Sequence, residues 1–275
     1  VRDARLLICP HCRGRLERAD NALRCGRGHS FDIAREGYVN LASPRAAKKA
    51  ADTPAMAEAR LRFLQCGFYD PFVARLAQLM ADAPSGPVVD VGCGPGFYLQ
   101  RAPDAREAVG VDLSKAALKR AARALPAATF AVADVEEAIP VADRCAAVVL
   151  SVFAPRPVGE LARILRPDGR LLVAAAAPGH LRELRDRLGL LSVPEDKERS
   201  LRERFEVAFA IDVLDRVSFG IELAPEEARD LVAMGPNAWH QEATIAPTET
   251  VATAVDILLL GARQASRPLQ GSGAQ

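Results

Sequence analysis

Cys9, Cys12, Cys25 and His29 stand in the pattern C-x2-C-x12-C-x3-H. Zinc takes four soft or borderline ligands in a tetrahedron, and a C-x2-C knuckle supplies two thiolates from one tight turn. Pro10 stiffens that turn, while Gly26 and Gly28 free the second turn to bring Cys25 and His29 together. His11 competes as a nitrogen ligand but would break the paired geometry, so His29 is preferred. With four protein ligands such a site is closed and structural, holding a segment too small to fold on its own core. Cys66, Cys93 and Cys145 are expected to be buried small hydrophobes without chemistry.

A second group of residues lies in Asp90-Val91-Gly92-Cys93-Gly94-Pro95-Gly96. Glycines there let a backbone approach a ligand, and the loop follows a β-branched run and precedes the next strand ending at Asp112. A carboxylate at that strand end can bind ribose hydroxyls. The loop reads G-x-G-x-G after an acidic residue, not the G-x-G-x-x-G of a pyrophosphate cradle. Negative charge at Asp90 suits a cationic ligand without phosphate, namely S-adenosylmethionine. Asp134, after a third strand, is placed to meet an adenine amino group.

These residues need an α/β frame. The hydrophobic pattern predicts strands at Val88–Val91, Val109–Asp112, Phe130–Ala133, Ala147–Ser151 and Arg170–Ala176. It predicts helices at Phe97–Arg101, Ser114–Ala124 and Gly159–Leu165, with Ser114 as N-cap and Pro126 as stop. Such alternation argues a parallel, doubly wound sheet, completed by strands near 205–219 and 250–262. Upstream, Gly14, Asp20 and Asn21 mark turns that would fold the cysteine segment into a hairpin.

The 275 residues, 49% of them hydrophobic, exclude wholesale disorder. Mean hydropathy is +0.02. No apolar run approaches the ~20 residues of a bilayer span, and no secretion signal is evident, so a soluble, cytoplasmic chain without a membrane partner is expected. The net charge of +1 hides an asymmetry. Residues 1–84 hold 14 basic and 9 acidic side chains, a net of +5, and the remainder nets −4. That imbalance places a polyanion at the N-terminal end.

The whole pattern resembles a known family. Cys9, Cys12, Cys25 and the run His29-Ser30-Phe31-Asp32 through Leu41 resemble the large-subunit (23S) ribosomal RNA guanine-N1 methyltransferases, as do Asp52-Thr53, Met56, Ala59-Arg60, Phe63-Leu64 and Gly67-Phe68-Tyr69. Val152 to Arg156, His180 to Leu184 and Val232 to Gln241 resemble it too. The likeness is strongest to the macrolide-resistance branch of the tylosin and mycinamicin type. It implies a class I (Rossmann-like) methyltransferase domain at 85–262 and a zinc-binding RNA-recognition module at 1–41, while composition marks a basic linker and helical segment at 42–84 and a disordered tail at 263–275. It implies cofactor contacts at Tyr69, Gly94, Pro95 and His180, beside Asp90, Gly92, Gly96, Asp112 and Asp134. Pro95 departs from the acidic or small residue frequent in relatives. The implied reaction is methylation of guanine N1 in a 23S ribosomal RNA hairpin by S-adenosylmethionine, with resistance to macrolides as the outcome.

Guanine N1 carries a proton that must leave; Asp134, His180 and His240 are the candidate bases, and none stands out. Phe153 and Trp239 are candidate stacking platforms for an exposed base, though core packing explains either one singly. Residues 42–58 read as a mobile basic linker that grips RNA phosphates with Arg13, Arg15, Arg18, Arg24, Arg27, Arg35, Lys48 and Lys49. A homodimer clasping one hairpin is compatible with the sequence. The alternatives are a small-molecule methyltransferase, a housekeeping ribosomal RNA enzyme and a zinc-bearing RNA-binding protein without activity.

Overall fold

The computed structural model describes residues 4–102, 107–235 and 248–265. The strands are β1 (Leu16–Ala19), β2 (Ala22–Cys25), β3 (Ser30–Asp32), β4 (Tyr38–Asn40), β5 (Val88–Val91), β6 (Ala108–Asp112), β7 (Thr129–Val132), β8 (Ala146–Val152), β9 (Leu165–Ala176), β10 (Phe209–Leu223) and β11 (Val251–Gln264). The helices are α1 (Pro54–Gln65), α2 (Asp70–Ala81), α3 (Lys115–Ala124), α4 (Val158–Ile164), α5 (Arg182–Leu188), α6 (Lys197–Glu206) and α7 (Pro225–Ala233).

Eight strands form one sheet in the order β10-β11-β9-β8-β5-β6-β7-β4. The pairs from β4 to β9 are parallel. β5, β7 and β8 are buried along their whole length, as strands covered on both faces by helices must be. Their Val- and Ala-rich sequences have no polar alternation because neither face meets water. The two late strands correct the expected all-parallel sheet: β11 pairs antiparallel with β9, and β10 antiparallel with β11. The hairpin is long, and its outer strand β10 alternates half-buried and exposed residues, the signature of an edge.

Local signals hold at α3, where Ser114 Oγ accepts from the Ala117 N–H and caps the helix. The helix expected at Phe97–Arg101 is only a 3-10 turn at Leu99–Arg101. β1 and β2 form a two-residue hairpin through Asp20-Asn21, with Asp20 in the left-handed region at φ 54°.

The core does not follow the expected division at residue 41. β4 extends the large sheet beside β7, and Leu7 bridges Val141. Leu7, Leu16, Leu23 and Val39 share one apolar cluster with Val89, Val109 and Val149 of the central strands. The small N-terminal unit thus borrows the core of the large one, as a segment of its size must. Nor is 42–58 a loose connection. Ala46 is buried, Ser43 Oγ donates to Glu137 at 2.6 Å, Lys49 pairs with Asp134, and α1 begins at Pro54 under a Thr53 cap. β11 runs through Gln264, so the expected tail begins inside a strand; 266–275 lie outside the described residues.

Candidate active site and metal centre

The ligand atoms of Cys9, Cys12, Cys25 and His29 all lie within 4.8 Å of one another. Cys9 Sγ is 3.4 Å from His29 Nδ1, Cys25 Sγ is 3.3 Å from the same nitrogen, and Cys12 Sγ is 3.6 Å from Cys25 Sγ. A tetrahedron with zinc bonds of about 2.0 Å to nitrogen and about 2.3 Å to sulfur has edges of about 3.5–3.8 Å, so the donor set fits the ion once its longer separations close. His11 stays outside the cluster; its ring stacks on Phe31 with centroids 5.8 Å apart. Cys93 is buried as expected, whereas Cys145 is half-buried and Cys66 is exposed where α1 ends.

At the C-terminal end of β5 the glycine loop turns through left-handed conformations at Gly92 (φ 78°), Gly94 (φ 52°) and Gly96 (φ 79°). A Cβ on Gly92 would stand 2.4 Å from Ala154 Cβ, so the loop and the segment after β8 approach as only glycine allows. Asp112, ending β6, accepts from the Gly94 N–H at 2.8 Å and the Ser114 N–H at 2.7 Å. One carboxylate therefore ties together the two loops that follow adjacent strands. Burial raises its pKa, and the backbone bonds oppose that shift.

Asp90 is different. It is 1% exposed and both carboxylate oxygens are without a hydrogen-bond partner among the described residues. Burial, aided by the Asp112 charge, pushes its pKa up to about 8. A buried carboxylate of this kind calls for a cationic neighbour. The cluster of positive-φ glycines above it and the cavity beside them fit a ligand carrying a cation and no phosphate.

That cavity has a volume of about 400 Å³. Its walls include Tyr69, Gly92, Gly94, Pro95, Phe153 and His180. The structure thus gathers five of the expected cofactor residues, Tyr69, Gly92, Gly94, Pro95 and His180, around one space. Asp90 and Asp112, near the strand ends beneath the loop, and Gly96, which packs towards Ala121, are not on its walls. Asp134 is not on the wall; Lys49 Nζ holds its carboxylate in an ion pair.

His180 is locked. Its Nδ1 accepts from the Asp256 N–H at 3.1 Å, which puts the ring proton on Nε2, 3.3 Å from Tyr69 Oη. His180 therefore donates to the tyrosine oxygen, and the tyrosine hydroxyl is free to donate elsewhere. Burial, reinforced by Arg185, lowers the His180 pKa to about 4. With one nitrogen protonated and the other engaged, this imidazole has no lone pair to take a substrate proton. Of the other two candidate bases, Asp134 is held by Lys49. His240, like Trp239, lies outside the described residues.

Phe153 is not core. It is 40% exposed and sits at φ 52°, a conformation rare for a bulky residue. Its ring stacks against His180 at 6.0 Å and 29°, with Tyr69 and Phe72 behind it. The strained backbone holds an aromatic face open on the cavity wall. Among the wall residues that escaped sequence reasoning as site members are two arginines: Arg60, which binds Asp52 at 2.8 Å and the Met234 carbonyl at 2.6 Å, and Arg185. Arg60 belonged to a recognised segment, but nothing in spacing alone brings it to Gly94.

The sheet order, the glycine loop at the end of β5 and the cavity beside it define a class I methyltransferase domain, here joined to an N-terminal zinc ribbon. A methyltransferase-domain model matches residues 88–169, and a model of the RlmA N-terminal zinc ribbon matches residues 7–50. A chain in the complex of the Haloferax volcanii Trm112 methyltransferase activator and a methyltransferase shares the fold, with TM-score 0.51 and 20% identity over 78% of this chain and 99% of that one. The 23S rRNA (guanine(748)-N(1))-methyltransferase of Streptomyces fradiae is 45% identical over 246 residues, covering 86% of this chain and 87% of the relative. A Micromonospora griseorubida relative described as "Putative 23S rRNA (guanine-N(1)-)-methyltransferase" is 45% identical over 263 residues, 86% and 88% of the two chains. A Bacillus subtilis relative of similar description is 34% identical over 252 residues, again 86% and 88%. The chain belongs to the 23S rRNA (guanine-N1)-methyltransferase family. No helix among the described residues is long and apolar enough to cross a membrane.

Proposed function

We propose that this chain methylates N1 of one guanine in a 23S ribosomal RNA hairpin, at the position equivalent to guanine 748 of the Streptomyces relative's substrate, and so protects the ribosome of its own cytoplasm from macrolides such as tylosin or mycinamicin. The observation that carries this reading is the joint presence, in one chain and in the same order, of the Cys3His cluster and the cavity, at 45% identity over most of its length to an enzyme so described.

Bound S-adenosylmethionine supplies an electrophilic methyl on a sulfonium. The chain's residues do the rest. Asp90 offers the buried negative charge for the cofactor's cationic end, and Asp112 its remaining lone pairs for ribose hydroxyls. Gly92, Gly94 and Pro95 form the floor, with Gly96 setting the turn behind them. Tyr69 presents a hydroxyl proton to the cofactor because His180 fills the acceptor side of its oxygen. Asp134 reaches the adenine amino group once Lys49 releases it. Phe153 takes the flipped guanine on its open face. As His180 cannot accept the N1 proton, that proton leaves to water, and alignment supplies much of the rate.

Zinc holds the ribbon. Cys12→Ser with Cys25→Ser is expected to reduce bound zinc from one ion per chain to none by elemental analysis, and RNA affinity with it, far more than cofactor affinity. A full zinc complement in the double variant would overturn the assignment.

The RNA-facing cations of the ribbon need revising. Arg13 pairs with Asp143, Arg45 with Glu137 and Lys49 with Asp134 and Glu136, so these side chains already have acidic partners. Arg15, Arg24, Arg27 and Arg35 are exposed without ion pairs among the described residues and are the better candidates. The direct test is methyl transfer in vitro to a 23S hairpin transcript and, separately, to a macrolide. Incorporation into the transcript, lost when the target guanine is replaced by adenine, supports the reading. Incorporation into the drug alone overturns it in favour of a small-molecule enzyme.

A further inference from the structure

The C-terminal unit nets −4 and was expected to leave RNA to the basic N-terminal module. One place on it contradicts its average. Arg156 follows Phe153 by three residues, and Lys197 opens α6 four residues after Val193, another wall residue of the cavity. Arg204, on the same helix, donates from Nη2 to the Arg156 carbonyl at 2.6 Å. Two guanidiniums and an ammonium therefore come together, a few residues along the chain from two wall residues.

Their surroundings do not neutralise them. Neighbouring cations have acidic partners: Arg182 with Glu195, Arg199 with Asp196 and Glu203, Arg202 with Glu206, and Arg216 with Asp256. Arg156, Lys197 and Arg204 have no ion pair among the described residues. Asp196 and Glu198 flank Lys197 in sequence, and Asp196 lies 3.2 Å from Arg199 Nη2. Arg156 Nε is buried with no acceptor, and its Nη2 reaches only the Ala174 carbonyl at 3.4 Å. The like charges are felt: burial and the Arg204 charge lower the Arg156 pKa, and burial with Arg156 and Arg204 lowers that of Lys197 against the opposing charge of Asp196. Uncompensated cations held together cost stability, and a bound anion with several acceptor oxygens would remove that cost.

We propose that Arg156, Lys197 and Arg204 form a phosphate-binding site for the RNA backbone next to the guanine that Phe153 receives. The site rests on the ribosomal RNA reading above and extends it. A guanine can leave its stack only if its backbone swings with it, and clamping a flanking phosphate at the cavity mouth holds that rotated strand. Binding is thus two-pointed: the ribbon grips the hairpin, and this trio fixes the displaced nucleotide. Guanidinium forks suit phosphate oxygens, and Lys197 adds a point charge.

The test uses the full-length, zinc-loaded chain and a 23S hairpin transcript, with affinity measured against salt. Lys197→Gln with Arg204→Gln is the main variant, since Arg204 is exposed and Lys197 only half-buried on its helix. Arg156→Gln is added to it as a triple variant. Arg199→Gln with Arg202→Gln is the control, removing two acid-paired cations from the same helix. Each lost phosphate contact lowers the slope of log affinity against log salt by about 0.7 on single-stranded RNA, so the triple variant should lose about 2. The double variant should lose about 1.4, the control little, and cofactor affinity should stay within about twofold throughout. Methylation should fall with the slope. If the main variant and the control behave alike while the native chain binds and methylates the hairpin, the trio is not a phosphate site. If the native chain does not bind the hairpin, it is the ribosomal RNA reading that fails.

Discussion

Cofactor binding should release close to one proton at pH 7, and replacing Asp90 with Asn should abolish that release. The sign follows from the buried carboxyl. Burial raises its pKa in the folded chain to about 8, against 3.8 for the ordinary group. The folded chain without cofactor therefore holds a proton that the unfolded chain has lost between about pH 4 and pH 8. Stability of that form should fall as pH rises through this window and level off above it, the reverse of a salt-bridged aspartate. A cationic ligand favours the ionised carboxylate. Affinity should then climb up to about tenfold per pH unit between pH 6 and pH 8, and flatten beyond. Calorimetry in buffers of different ionisation enthalpy reads the proton count directly. The cofactor's own amine titrates in the same range, but it does so equally with the Asp90→Asn variant, so the difference between the two chains isolates Asp90. Equal proton release from both would place the cofactor's charge elsewhere.

The second large effect is expected at Phe153. Base–aromatic stacking contributes about 1–3 kcal/mol per base, so Phe153→Ala should lower kcat/KM for the RNA by roughly 5- to 150-fold. Cofactor affinity should change by less than about threefold, because Tyr69, His180 and the loop keep their own contacts. Phe153→Tyr retains the stacking face and should recover most of the loss. A merely packed phenylalanine would behave differently: alanine would lower thermal stability and cofactor affinity together, and the RNA term would follow them. The split between the two ligands is the diagnostic readout.

Much of this site could be read from residue order, for a physical reason. Cys9, Cys12, Cys25 and His29 are bound by short-range geometry, so their spacing already contains the cluster. The glycine loop and Asp112 are equally local, since parallel neighbours β5 and β6 place their C-terminal ends side by side. Ser114 caps α3 through its own next turn. What escaped depends on distant partners. The antiparallel course of β10 and β11 is set by edge pairing with β9, and their sequences carry no mark of direction. The Leu7–Val141 bridge and the addition of β4 to the large sheet join segments far apart in the chain. Phe153 is one of two candidate platforms in the sequence, and what sets it apart from a core aromatic, a positive φ and an open face, arises only in the folded chain. The locked tautomer of His180 depends on the backbone of Asp256 across the sheet, which no motif could announce. The split of charge at residue 84 pointed to RNA at the ribbon, but it averaged away the unpaired trio on the other side.

The central claim is that one guanine of 23S ribosomal RNA receives a methyl group on its pairing edge. Primer extension on ribosomal RNA from otherwise identical cells, lacking the protein or carrying it in native or Asp90→Asn form, tests this most directly. A methyl on N1 blocks Watson–Crick pairing, so reverse transcriptase should stop one nucleotide before the equivalent of guanine 748 only in cells with the native protein. The stop should vanish or weaken strongly with Asp90→Asn, and tylosin sensitivity should return with it. Identical extension products from all three cell lines, with no new stop at any guanine, would contradict the account.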